Sequence, residues 1–391
     1  MYTPSMITRS YEPLGPLLEP NKALVIYGPR RVGKTTLLER YLAETPFKYR
    51  HALGDDVPTQ QLLSSLNVEL IQEYLEGFDL FAIDEAQYIP EIGRALKIIV
   101  DTIPGIYVIA TGSSSFELAG QVGEPLAGRK RTLTLYPIAQ SELLSIHNRY
   151  DLRQRLDDFL VFGTYPEVVL EKTRARKIEL VREIAGSYLL KDILAFERVR
   201  SSRKLWDLLK LLAFQMGSEV SLNELAASLS INKATVAHYL DLLEKSFVLY
   251  RLGGFSRNLR KEVTQKPKYY FLDNGIRNAI IAQFNRLDQR DDVGQLWENF
   301  MLMERVKYLT YTSEVSNLYF WRTYSQQEID LVEERGRRLD GYEFKWSLNK
   351  PPKPPKEWSR TYPQASYTVI TPDNYQDFIL PPRERRMPRR R

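Results

Sequence analysis

Cysteine is absent from the 391 residues, which excludes disulfides, thiolate-built zinc sites and thiol nucleophiles. Histidine is nearly absent: His51, His147 and His238 lie far apart, which speaks against a His-rich metal site. No run approaches the ~18 uncharged apolar residues of a membrane span, and the start, MYTPSMITRSYEPL, lacks the apolar core of a signal peptide. A cytoplasmic location without a membrane partner is the expectation. Charge of one sign is also scarce through most of the chain. The net charge is +6, and the last eleven residues, PPRERRMPRRR, supply five of it with six Arg and one Glu. This tail, residues 381–391, reads as a disordered basic arm able to touch phosphates without sequence preference, or equally as a solubilising end. The pI alone is no argument for DNA. Hydrophobic residues make up 43%, and the length allows two to four domains with proper cores.

The segment GPRRVGKT, Gly28 to Thr35, follows the apolar run Ala23 to Tyr27 and precedes a helix-like TLLERYL stretch. It satisfies the phosphate-loop pattern of G, four residues, GK and S/T. Gly28 and Gly33 free the backbone to turn its N–H groups onto phosphates at the positive end of a helix. The expected nucleotide cradle is Gly28, Pro29, Arg30, Arg31, Val32, Gly33, Lys34, Thr35 and Thr36. Lys34 is expected to reach the β and γ phosphates, with the Thr35 hydroxyl on Mg²⁺. Leu80 to Ile83 is an uncharged apolar run ending in Asp84-Glu85, as a Walker B strand buried on both faces should be. Asp84 is then a Mg²⁺ ligand, and Glu85 the residue that polarises the attacking water. A third run, Ile106 to Thr111, ends in Gly112-Ser113-Ser114-Ser115, whose hydroxyls would emerge on the same sheet edge. Ser113 is read as a γ-phosphate sensor or as an ordinary loop residue. Arg129, in LAGRKR, is read as an arginine finger toward a neighbouring subunit's nucleotide or as a solvated surface charge.

After Tyr136-Pro137 helical periodicity takes over, interrupted by the turn Gly163-Thr164-Tyr165-Pro166. From Lys204 to Asn258 a helix is followed by SLNELAASLSI, a break at Ile231-Asn232, and KATVAHYLDLLEK. Two tightly joined helices before a strand resemble a winged helix-turn-helix. Ser221 with Glu224 makes a capping-box start. The second helix is near neutral, so a plain helical packing module is the competing reading. Arg251, Arg257, Arg260, Lys261, Lys266 and Lys268 against Glu262 suit a wing touching phosphate backbone.

The last unit runs from a helix, VGQLWENFMLMERVKYL, through LYFWRTY and EIDLVEE to LDGYEFKWS, and carries Glu298, Asp330, Glu343 and Lys345. Alternation puts Glu343 and Lys345 on one face, where Asp330 on the preceding strand can join them. Two carboxylates make a hard oxygen site, and the lysine can serve a water attacking phosphate. The arrangement resembles the PD-(D/E)xK nuclease fold, in which a helix Glu often completes the metal site. That resemblance implies Glu298 as a further ligand, with a second Mg²⁺ or Mn²⁺. Ile329 stands where the motif's proline usually precedes the Asp.

With GPRRVGKT, LFAIDEAQ, TGSSS, LAGR, GTYPEVV, YYFLDNGIRNAI and the EIDLV to EFKWS segment in order, the chain resembles the bacterial and archaeal AAA+ family ATPases that carry a C-terminal domain of unknown function. The resemblance implies an α/β architecture. Residues 1–136 are expected as a P-loop core with a parallel sheet, 137–200 as a helical lid or connector, 201–262 as a winged helix, and 263–380 as a nuclease-like α/β domain. It also implies ATP with Mg²⁺, with Lys34 and Thr35 on nucleotide and Mg²⁺, Asp84 on Mg²⁺, Glu85 as catalytic base and Ser113 as a sensor. The residue readings above add Arg129, Asp330, Glu343 and Lys345 as catalytic candidates and DNA as a partner, mainly through its phosphates. The alternative to DNA cleavage is a non-cleaving nucleotide switch on an inactive nuclease fold. A finger role for Arg129 would require a homo-oligomer.

Overall fold

Three short apolar runs form the centre of a five-stranded parallel sheet, and two charged segments, YRHAL and KRTLT, form its edges. The structure is a computed structural model describing residues 7–112, 126–188, 202–256, 266–348, 350 and 352–382. Ser113, Arg257, Arg260, Lys261, Glu262 and nearly all of the basic tail lie outside the described residues. Strands β1 (Ala23–Tyr27), β2 (Tyr49–Leu53), β3 (Leu80–Asp84), β4 (Tyr107–Gly112) and β5 (Lys130–Thr134) stand in the order β2-β3-β4-β1-β5. Every neighbouring pair is parallel. Parallel pairing demands crossovers, and the helices Lys34–Glu44, Val57–Ser64, Val68–Leu75 and Ile92–Thr102 supply those between β1 and β4. Because β4 is inserted between β1 and β3, the phosphate loop and Asp84 flank its carboxyl end.

Strand alternation divides the apolar residues between two cores. Ala23, Val25, Phe81, Ile83, Val108 and Ala110 bury one face together with Leu96 and Ile99. Leu24, Ile26, Ala82 and Ile109 bury the other, and that core continues through Phe159, Phe162, Leu208, Leu243 and Trp297 to Leu380. The connector helices Leu156–Phe162 and Arg174–Glu183 therefore share one core with both ends of the chain.

Helix Ser202–Phe214 precedes the pair Leu222–Leu229 and Lys233–Lys245. The break between the pair comes from left-handed Ser230, which ends the first helix. Asn232, accepting the Thr235 N–H at 2.7 Å, then starts the second. Strands β6 (Leu249–Gly254) and β7 (Lys268–Phe271) follow and pair antiparallel, one on each side of the expected boundary at 262/263. Gly253 and Gly254 of β6 also pair parallel with Tyr319 and Phe320 of β8 (Asn317–Arg322). With β9 (Glu328–Arg335), β10 (Arg338–Phe344) and β11 (Ser366–Ile370), they form one six-stranded sheet ordered β11-β10-β9-β8-β6-β7. The long helix Val293–Thr312 packs on β10 and on the last helix, Tyr375–Ile379. Arg305 of the long helix grips fully buried Glu333 of β9 at 3.0 Å.

Candidate functional site

Gly28 follows β1 with φ +154°, and a Cβ there would lie 1.9 Å from the Leu135 carbonyl oxygen, so only glycine lets the loop leave the sheet here. Gly33 is left-handed and N-caps helix Lys34–Glu44, which leaves the first N–H groups of that helix facing the loop. Lys34 is buried, its Nζ donating to the carbonyls of Gly28 at 3.0 Å and Pro29 at 2.7 Å. Thr35 Oγ1 donates to Asp84 Oδ2 at 2.7 Å. The expected hydroxyl and carboxylate thus meet although 49 residues separate them. Thr36 is exposed beside them. The pairing of a hydroxyl with a hard carboxylate oxygen fits Mg²⁺ bound with a triphosphate.

Glu85 is left-handed at φ 53°, an uncommon backbone for glutamate. Two groups that sequence reasoning missed hold it. The Gln87 amide donates to its carboxylate, and Thr111 Oγ1 accepts its backbone N–H at 3.1 Å while donating to Asp84. The signal was present, since Gln87 stands two residues after Glu85 in LFAIDEAQ and Thr111 is the last residue of the third apolar run. Arg30 donates to the Tyr88 hydroxyl at 2.5 Å, whereas Arg31 reaches the connector, at 2.7 Å from Glu183 and 3.4 Å from Glu167. Behind the loop, buried Arg9 donates to the Val32 carbonyl, to Tyr136 O at 2.7 Å and to Glu142 at 3.0 Å. Arg129 stands apart, pairing with Asp101 at 2.5 Å just before β5 begins. That is the amino end of the sheet, opposite the loop, so Arg129 does not join its own subunit's phosphate site.

The second cluster also assembles. Lys345 pairs with Glu343 at 2.6 Å, Asp330 accepts the Phe344 N–H at 2.8 Å, and Glu298 accepts the Tyr270 hydroxyl at 2.6 Å. Burial followed by the charge of Asp330 pushes Glu298 up to about 7. Burial likewise raises Asp330 and Glu343. Among the described residues no three His, Cys, Asp or Glu side chains are grouped to hold a metal ion. Each carboxylate is already engaged by a neighbour. Lys268, expected on a phosphate-facing wing, is 2% exposed and lies among these acids.

Residues 20–144 match the AAA domain family, while residues 153–287 match a domain of unknown function (DUF8612) and residues 293–381 another (DUF4143). The Gly28–Thr35 loop and the strand ending in Asp84 both lie inside the first of these matches. An uncharacterized protein of Mycobacterium tuberculosis is 28% identical over 330 residues, 82% of this chain and 70% of its own. One from Haemophilus influenzae is 27% identical over 290 residues, 66% of this chain and 69% of its own. Among solved structures, a RuvB variant of Thermotoga maritima is 17% identical with a TM-score of 0.29, covering 59% of this chain and 82% of that one. That score is too low to bear on fold or function. No described helix is long and apolar enough to cross a membrane.

Proposed function

We propose that the chain binds and hydrolyses ATP at the Gly28–Thr35 loop and passes its nucleotide state to a C-terminal module that holds the DNA backbone. The observation carrying the first half is the 2.7 Å hydrogen bond from Thr35 to Asp84, beside a buried Lys34. Backbone N–H groups of the loop cradle the phosphates, and Lys34 exchanges its carbonyl partners for phosphate oxygens. Thr35 and Asp84 would hold Mg²⁺, which would supply positive charge against the phosphates. Glu85, released from Gln87, orients the attacking water. Arg129 on an outer surface is available to a neighbouring subunit's site.

Support for the second half comes from the winged-helix-like order of three helices and two strands. The exposed face of Lys233–Lys245 carries Lys233 and His238, while Asp241 at 2.8 Å offsets Lys245. Such balance suits weak backbone contact rather than base reading. One pair of assays tests the whole reading on the wild type and Lys34→Ala. Lys34→Ala abolishes ATP turnover, and salt-sensitive DNA gel shifts lose their response to ATP. Unchanged hydrolysis overturns the site, and a missing DNA shift in the wild type points to a protein partner.

A further inference from the structure

The cluster at the C-terminal sheet contains its own cation. Lys268 stands on β7, brought beside the acids because β7 closes the same six-stranded sheet. Its ammonium lies 3.7 Å from Glu298 Oε1 and is hydrogen-bonded to Glu328. Tyr270, on the same face of β7 two residues further, donates to that same Glu298 oxygen at 2.6 Å. Arg322 reaches the other oxygen of Glu328 at 3.5 Å and Glu219 at 3.0 Å. Glu343 is paired by Lys345, and Asp330 by the Phe344 N–H.

A divalent cation in such a place needs carboxylate oxygens at about 2.1 Å with free lone pairs. Here one oxygen of the helix carboxylate, Oε1 of Glu298, is shared by an ammonium and a phenol. A second cation would sit beside a buried, like-charged neighbour, where repulsion is poorly screened. We infer that Lys268 is the resident cation of this cluster, filling the electrostatic role a nuclease gives to its metal. The cluster is therefore an ionic joint that fastens β7 to the long helix and to β9, with the place of a cleavage metal already filled. This goes beyond the proposed ATPase and stands whether or not ATP is hydrolysed.

The full nucleotide-free chain is titrated with Mn²⁺ while the electron paramagnetic resonance signal of the free aqua ion is followed. Wild type and Asp330→Asn give the same curve. Lys268→Met gains a stoichiometric Mn²⁺ site that the double variant Lys268→Met/Asp330→Asn loses again, and Lys268→Arg behaves as wild type. The inference is overturned by Asp330-dependent Mn²⁺ uptake in the wild type, by Asp330-dependent plasmid cutting in Mn²⁺, or by a folded Lys268→Met chain that takes up no metal. Should Lys268→Met fail to fold, the wild type against Asp330→Asn comparison still decides.

Discussion

Thr111 illustrates how one hydroxyl organises two acidic side chains with different tasks. Its hydroxyl donates to Asp84 and its oxygen accepts from the Glu85 backbone, so it fixes the angle between the carboxylate proposed as metal ligand and the one proposed as base. Thr111→Val preserves shape but leaves a backbone N–H unpaired next to a buried carboxylate, a loss of about 1–3 kcal/mol. In the proposed site ATP is held by the loop and not by Thr111, so the loss is expected to fall on the transition state. Steady-state kinetics should show kcat down about tenfold or more with KM for ATP little changed. A raised KM at constant kcat would instead make Thr111 a binding residue. Sequence reasoning passed over Thr111 for Ser113, which lies outside the described residues, because a run of apolar letters marks where a strand ends and not which hydroxyl turns inward.

Among elements, the two motifs that carry no phosphate chemistry, GTYPEVV and YYFLDNGIRNAI, turn out to be halves of a joint. Asp273 caps the helix Asn274–Ile280 through the Ile276 N–H at 3.2 Å and also accepts the Thr164 N–H at 2.7 Å. Asn278 donates to the carbonyls of Leu160 at 3.2 Å and Val161 at 2.8 Å, near the end of helix Leu156–Phe162. Gly275 lets the two helices touch, since a Cβ there would stand 2.1 Å from the Phe162 carbonyl oxygen. Gly275→Ala must push them apart at a cost on the order of 3 kcal/mol. Thermal unfolding should move to lower temperature while ATP affinity of the remaining folded protein stays unchanged. An unshifted transition would mean the joint yields without cost. Periodicity made these helices and the C-terminal strands legible one by one. It did not reveal that β6 pairs with β7 along most of its length and with β8 at Gly253 and Gly254, because a dual partnership depends on strand order and leaves no local pattern. Lys268 was misread for the same reason: a lysine beside other basic residues reads as surface until the sheet places it inside.

Across the whole molecule, the phosphate loop and the C-terminal cluster meet the same helix. Glu298 lies near the start of Val293–Thr312 and Tyr311 near its end, a span of about 20 Å at the helical rise. Tyr311 accepts the Tyr136 N–H at 3.0 Å and lies 3.4 Å from Arg9, which donates to the Val32 carbonyl inside the loop. Glu304, about two turns earlier on the same helix, accepts the Gln140 N–H at 2.7 Å and pairs with Lys307. Any nucleotide-driven change at Val32 therefore reaches the long helix through one guanidinium that binds several acceptors at once. Lysine at position 9 retains a charge for Glu142 but lacks the planar fork needed to serve Val32, Tyr136 and Tyr311 together. Wild-type chain is expected to slow amide exchange along Val293–Thr312 when a non-hydrolysable ATP analogue binds. Arg9→Lys should bind the analogue with affinity within about threefold of wild type, well under 1.4 kcal/mol, yet lose that slowing. The same protection in both chains would remove Arg9 from the path and leave Arg31, with Glu167 and Glu183, as the contact between loop and connector.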